Sequence, residues 1–141
     1  AELCGPMAKV LQGLGIRRGM VVSGMAGEKH MDELSPLGET TIAEFYQGRA
    51  LSESTLSPTD LPLSPMSLED LAGGDAKANA NITRAILAGE ETGSKREAVL
   101  LNAGAALFVA DAAGSITEGW ELAATVINDG RAKTKLEELA A

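Results

Sequence analysis

The residues from 98 to 110 constrain the fold of this chain more than any other stretch. They read AVLLNAGAALFVA and are apolar at almost every position, with Asn102 as the polar exception. A helix that is apolar on nearly every face has to be buried on most sides, because exposing that surface to water is unfavourable. Ser94 followed by Glu97 is typical of a capping box, so we expect this helix to begin at Ser94.

Further helical patterns lie on both sides of this stretch. The first residues predict an amphipathic helix that ends near Gly13 or Gly15 and has its apolar face at Met7, Val10, Leu11 and Leu14. Asp75 as N-cap and Gly89 as stop delimit a second helix. Residues 115–141 predict one more helix to about Asp129, an end at Gly130 and a final amphipathic helix.

Strand patterns are confined to the first 60 residues. GMVVSG, residues 19–24, is short, β-branched and bounded by glycine, which is typical of a buried strand. Residues 40–48 and 49–58 predict a hairpin around Gly48. Residues 57–66 contain three prolines, which favour an extended connector. We predict an α/β fold with about three strands and five or more helices, in one partial domain over residues 1–141, because so many helices need a larger sheet.

Composition and charge exclude several classes of function. Aromatic residues make up only 3% of the chain, so the core has to be built from small and aliphatic side chains. The net charge of −8 disfavours nucleic-acid binding and attraction to anionic membranes. No apolar run approaches the roughly 18 residues of a membrane-spanning helix. The one cysteine, Cys4, fits a reducing compartment, so we expect a cytoplasmic protein.

The loop GEKHMDELSPLGETT, residues 27–41, carries the main candidate chemistry. Its adjacent acids Asp32 and Glu33 suit a hard cation such as Mg²⁺, although a solvated acidic turn is the commoner meaning of such a pair. His30 is the only histidine, and a lone imidazole without cysteine or a second histidine makes no zinc site. Ser35 before Pro36 reads as a turn residue, because no base or nucleophile elbow accompanies it.

The remaining polar residues favour structural roles. The two glycines before Asp75 could open a phosphate site at a helix N-terminus, but the Asp75 carboxylate would occupy the same amides as a cap. We expect Asn79 and Asn102 to bond to backbone or to each other, and Trp120 to anchor packing.

Several phrases, in order and at their spacing, resemble anthranilate phosphoribosyltransferase. They are GEKHMDELSPLGETTIAEF, then LAGGDAKANANITRAILAGE, then REAVLLNAGAALFVA, preceded by ELCGPMAKVLQGLGIRRGMVVSG. The resemblance covers essentially all 141 residues, and the ordered set is specific although no single phrase is. Gly104 departs from the family's usual alanine, which should cost about 1 kcal/mol of helix propensity without affecting the chemistry.

The resemblance implies an activity and a metal. The family transfers the 5-phosphoribosyl group from phosphoribosyl pyrophosphate to anthranilate in tryptophan biosynthesis, with Mg²⁺ bound by the acid pair that corresponds to Asp32 and Glu33. The family's GTGGD and KHGNR motifs have no counterpart here. The chain therefore resembles a C-terminal portion of the larger α/β domain. We expect it to be inactive alone, and the helical domain that makes the family's homodimer to be absent.

Three alternatives differ from this interpretation in what they require. A fragment of a pyrimidine nucleoside phosphorylase-like enzyme would share the architecture, but phosphorolysis needs no Mg²⁺ and leaves Asp32 and Glu33 unexplained. A nucleic-acid-binding homologue of the transferase should carry a basic surface, against the net charge of −8. A free-standing helical interaction module should be a stable monomer without a large exposed apolar patch.

Overall fold

The computed structural model describes residues 1–49 and 51–141, which contain four strands and five α-helices. These residues form two compact units: residues 1–63 with 109–111, and residues 64–108 with 112–141. The predicted α/β class is confirmed, and the single partial domain stays a prediction. No helix within these residues has the length and apolar character that crossing a bilayer requires.

The first unit is a helix packed on an antiparallel sheet. Its elements are α1 (Cys4–Gly13), β1 (Arg18–Ala26), β2 (Lys29–Met31), β3 (Thr40–Tyr46) and β4 (Ser52–Leu56). The strand order is β2-β1-β3-β4, and every neighbouring pair is antiparallel. Val21 pairs with Ala43, and Ile42 pairs with Ser54. The strand predicted at residues 19–24 is confirmed, although only Ser23 and Gly24 of β1 are buried and the rest is half-buried. The β3–β4 hairpin around Gly48, whose φ is +77°, is also confirmed.

The prediction that the whole of residues 27–41 forms a loop is wrong at Lys29–Met31. These residues form β2 and pair with β1, with Ala26 opposite Lys29 and Gly24 opposite Met31. Only Gly27 and Glu28 connect the two strands, and Gly27 has a φ of +62°. Two-residue hairpin loops favour glycine for this reason. The sheet therefore has four strands among the described residues, one more than predicted.

Helix α1 is confirmed, but its predicted apolar face is largely exposed. Met7, Val10 and Leu14 are 52%, 62% and 74% exposed. The face that contacts the sheet instead contains small residues, and its core cluster is Cys4, Ala8, Ala43 and Phe45, with Leu11, Val21 and Leu51 packed against it. Small side chains let a helix approach a sheet closely. This face therefore packs against the sheet, although the other face is more apolar.

The second unit is helical. It contains α2 (Ala76–Leu87), most of α3 (Ser94–Val109), α4 (Ile116–Asn128) and α5 (Arg131–Ala140). Asp75 caps α2 by accepting from the amide of Ala78 at 2.8 Å, as predicted. Gly89 follows α2 with a φ of +75°, and Gly130, with a φ of +83°, separates α4 from α5. The predicted helix ends are therefore confirmed.

Two local predictions fail because polar side chains find other partners. Glu97 does not form the reciprocal box with Ser94: its carboxylate accepts from the amide of Ser64 at 2.8 Å and from the Ser64 hydroxyl at 2.7 Å. The connector 57–66 is not wholly extended, because Pro58–Asp60 forms a 3-10 turn. Ser57 begins that turn with a capping box to Asp60, and proline is tolerated where the first amides need no partner.

Helix α3 is less buried in this chain than its composition predicts. Its fully buried residues are Leu100, Leu101, Gly104 and Ala105, whereas Val99 and Ala106 are exposed. Trp120 on α4 is buried, at 8% exposed, which confirms its packing role. An ideal Cβ at Gly104 would lie 2.7 Å from the Trp120 amide nitrogen and 2.9 Å from the Ile116 carbonyl oxygen. Gly104 therefore lets the backbones of α3 and α4 touch.

Candidate metal centre

The β1–β2 hairpin places the acid pair. Asp32 and Glu33 follow directly after β2, at the end of the hairpin opposite its Gly27 turn. His30 lies opposite Met25 in the register, and side chains two residues apart on a strand share a face. Ser23 and His30 therefore project from the same face of this hairpin. Asp32, two residues beyond His30, lines the same cavity as both.

A buried hydrogen-bond network fixes the segment that follows the acids. The Ser35 hydroxyl donates to the Met25 carbonyl at 2.6 Å and accepts from the Leu37 amide at 3.0 Å. The Ser35 amide donates to the Thr40 hydroxyl at 3.0 Å, and both residues are buried. The Met25 amide closes the network on the Glu39 carbonyl at 2.9 Å. Ser35 is thus the turn residue that the sequence predicts.

Gly24 permits the same segment to lie directly on β1. An ideal Cβ at Gly24 would lie 2.5 Å from the Ser35 Cβ and 2.6 Å from the Glu33 carbonyl oxygen. These contacts are far inside van der Waals distance, and the Glu33 contact is with backbone. Any side chain at Gly24 would therefore push the acid-bearing segment away from the sheet. Leu34, which is 1% exposed, anchors the segment between the acids and Ser35.

The two acids are electrostatically coupled. Both are exposed, as a site that exchanges ligands requires. Partial loss of solvent around Glu33, together with the negative charge of Asp32, raises the pKa of the Glu33 carboxyl above its ordinary value. Two like charges side by side favour a cation between or beside them. The donor set fits Mg²⁺, which prefers oxygen ligands and is held by one or two carboxylates plus substrate phosphates.

A cavity of about 900 Å³ lies beside Asp32. Its polar wall includes Ser23, His30 and Asp32, and its apolar wall includes Met7 and Met20. His30 Nδ1 lies 3.1 Å from Ser23 Oγ, within hydrogen-bonding distance. The sequence alone does not predict a partner for His30, because the Ser23 contact depends on the hairpin register. In the described residues, no group of three or more His, Cys, Asp and Glu side chains is arranged to hold a metal.

The other polar candidates have structural partners. Asp75 caps α2, which supports the capping interpretation of the glycine-rich segment before it. Asn79 is exposed, and its side chain both accepts from the Gly74 amide at 2.8 Å and donates to the Gly74 carbonyl at 3.0 Å. Asn102 donates to the Ala98 carbonyl at 3.1 Å. Both asparagines thus bond to backbone, as one of the two predicted alternatives requires.

Anthranilate phosphoribosyltransferases of several organisms resemble this chain in sequence. An anthranilate phosphoribosyltransferase of Rubrobacter xylanophilus is 46% identical over 132 residues, 94% of this chain and 37% of that protein. The enzyme of the same name from Syntrophotalea carbinolica is 47% identical over 138 residues, 98% of this chain and 38% of that protein. The chain thus spans less than two fifths of the length of these relatives.

A solved structure shows the same fold. A serine-to-alanine variant of anthranilate phosphoribosyltransferase from Saccharomyces cerevisiae, with Mg bound, superposes with a TM-score of 0.83 at 25% identity. The match covers 96% of this chain and 38% of the yeast chain. A model of the glycosyl transferase family, α/β domain, matches residues 1–133. The resemblance to anthranilate phosphoribosyltransferase is thereby confirmed, and the chain belongs to the glycosyl transferase family whose α/β domain this model describes.

Proposed function

We propose that this chain is part of an anthranilate phosphoribosyltransferase. The full-length protein would transfer the 5-phosphoribosyl group from phosphoribosyl pyrophosphate to the amine of anthranilate. The observation that carries this proposal is similarity over 94–99% of the chain to enzymes that all bear this name. In the reaction, the ribosyl carbon loses its bond to pyrophosphate and gains one to nitrogen, and the amine gives up a proton.

Asp32 and Glu33 are the residues of this chain that we assign to Mg²⁺. When bound, the cation offsets the negative charge that develops on the departing pyrophosphate. The chain's own contribution is to present both carboxylates on a segment that Ser35 and Leu34 hold in place. A fixed pair of ligands does not have to be ordered at the moment of binding, so more of the interaction energy is available to the reaction.

The metal assignment predicts the behaviour of a double variant of the full-length protein. Asp32→Asn with Glu33→Gln keeps the size of both side chains and removes both charges. We expect kcat/KM to fall at least about 100-fold, as when other groups that stabilise developing charge are removed. The Mg²⁺ concentration needed for half-maximal rate should rise. The assay follows the consumption of anthranilate, through the loss of its fluorescence, at several Mg²⁺ concentrations.

Glu39→Gln provides the matched control. Glu39 is an exposed acid in the same segment, and only its carbonyl takes part in the Ser35 network. Its replacement should leave the kinetics and the Mg²⁺ dependence at wild-type values. Wild-type kinetics for the double variant would remove the assignment of Asp32 and Glu33.

The 141-residue chain alone should show no turnover. It spans less than two fifths of its relatives. The family resemblance implies that the phosphate-binding motifs GTGGD and KHGNR lie outside it. The measurement is the same fluorescence assay with anthranilate, phosphoribosyl pyrophosphate and Mg²⁺, with the full-length protein as positive control. Catalysis by the isolated chain would contradict its role as an incomplete part.

We also propose that the full-length protein is a cytoplasmic homodimer that pairs through a helical domain outside this chain. This proposal rests on the family resemblance. Light scattering coupled to gel filtration measures the mass directly, and a monomeric full-length protein would contradict it.

A further inference from the structure

His30 has a hydrogen-bonding partner that the sequence alone does not predict. Its imidazole lies 3.1 Å from the Ser23 hydroxyl on the neighbouring strand, and Ser23 is only 9% exposed. Ser23 thus holds the ring from a nearly buried position on β1. The hydrogen bond uses Nδ1 and leaves Nε2, the outer ring nitrogen, for another partner.

The cavity beside the acids provides that partner's place. Ser23, His30 and Asp32 all line this one volume of about 900 Å³. His30 and Asp32 are two residues apart in the sequence and line the same cavity, which is large enough to hold a hydrated cation. Mg²⁺ in such sites keeps several of its waters, and each of these waters donates hydrogen bonds outward.

We propose that His30 is a positioning residue of the cation site, whose Nε2 accepts a hydrogen bond from a water molecule bound to Mg²⁺ at Asp32. This inference rests on the proposed function. In the tautomer whose Nδ1–H donates to Ser23 Oγ, the Nε2 lone pair points away from Ser23 and accepts. Mg²⁺ prefers oxygen ligands to imidazole, so His30 acts through the hydration shell instead of binding the metal itself. Partners of this outer kind orient what the metal holds.

Two replacements of His30 separate this role from a purely structural one. The amide of an asparagine lies near the position of Nδ1 and can keep the Ser23 contact, but it cannot reach the position of Nε2. The amide of a glutamine reaches the Nε2 position and offers an oxygen that accepts a hydrogen bond. A hydration role therefore predicts rescue by His30→Gln and not by His30→Asn. A hairpin-holding role predicts the reverse order.

The experiment is a titration of the full-length protein with Mn²⁺ as a stand-in for Mg²⁺, in which electron paramagnetic resonance reports free Mn²⁺. We expect His30→Ala and His30→Asn to weaken Mn²⁺ binding roughly tenfold, the low end of the effects known for outer partners. His30→Gln should stay within about threefold of wild type on that scale. Lys29→Ala, a neighbouring exposed residue of β2, is the matched control and should not change binding.

The outcomes distinguish this inference from the proposed function. If Asp32→Asn with Glu33→Gln abolishes Mn²⁺ binding while His30→Ala binds normally, the role of His30 is wrong and the acid assignment stands. Rescue by His30→Asn alone would also overturn the hydration role. If the acid double variant binds Mn²⁺ as wild type does, the metal assignment fails and the inference fails with it. The predicted order, Gln rescuing and Asn not, supports it.

Discussion

Gly104 lowers the helix propensity of α3 but allows that helix to pack closely against α4. As a helix-interior glycine it should cost about 1 kcal/mol relative to alanine. In the structure, however, its missing Cβ is the space that the Trp120 amide and the Ile116 carbonyl occupy. The glycine therefore contributes a close helix contact that its propensity alone conceals.

Replacing this glycine should destabilise the protein despite improving helix propensity. Gly104→Ala places a Cβ within 3 Å of two backbone atoms of α4, which cannot rotate away. Overpacking of this kind costs about 1–3 kcal/mol, against a propensity gain of about 1 kcal/mol. We expect a lower melting temperature. Gly13→Ala is the control, because nothing lies within 4 Å of its added Cβ; a rise in stability for Gly104→Ala would contradict the contact.

Asp70 gives a pH-dependent prediction at the same scale. Hydrogen bonds from the Ser67 amide at 2.8 Å and the Ser67 hydroxyl at 2.9 Å hold the pKa of the Asp70 carboxyl below its ordinary value. A depressed folded-state pKa means that the bonds stabilise the fold above the unfolded pKa, and that this contribution is lost as pH falls through the folded pKa.

The test removes one of the two bonds. Ser67→Ala keeps the amide donor and deletes the hydroxyl, so the Asp70 pKa should rise part of the way toward its ordinary value. The measurement is a carboxyl carbon NMR titration of Asp70 in both proteins. The Asp129 carboxyl, whose pKa is lowered by Arg131, should titrate identically in both.

Helix α1 shows why an element can be predicted while its orientation is not. The spacing of its apolar residues correctly predicts a helix, since periodicity depends on local geometry alone. Which face meets the sheet depends on the strands it finds, and here Cys4 and Ala8 fit against Phe45 while Met7 and Val10 remain exposed. The short strand β2 was missed for a related reason, because a three-residue strand acquires its identity only by pairing with β1.

Polar substitution should destabilise the protein on one face of α1 and have little effect on the other. Val10→Gln with Leu14→Gln alters only exposed positions, so the free energy of unfolding should change by no more than about 0.5 kcal/mol per site. Ala8 is 0% exposed, and Ala8→Gln should cost about 1–3 kcal/mol through overpacking. Urea denaturation of each variant measures both effects. A loss for Val10→Gln with Leu14→Gln as large as that for Ala8→Gln would contradict the observed packing.

At the scale of the whole molecule, the order and spacing of the sequence phrases predict the family, which local structural rules alone could not do. Helix limits at Asp75, Gly89 and Gly130 follow from capping chemistry and needed no family. Asp32 and Glu33, by contrast, are an ordinary acidic pair by local rules, and their proposed metal role rests on the family resemblance. The contacts of Gly24 and His30 could not be predicted from the sequence, because only the β1–β2 register brings their partners near.

The Ser35 network has a consequence for the speed of metal uptake. Its hydroxyl and amide already tie the acid-bearing segment to β1 and to Thr40 before any ligand arrives. This segment therefore does not have to be ordered around an incoming ion. If Asp32 and Glu33 bind Mg²⁺ as proposed, the rate of association would be set by how quickly the hydrated ion gives up its own water, which Mg²⁺ does reluctantly. The slow step of metal uptake would then be loss of water from the ion, and not a movement of the chain.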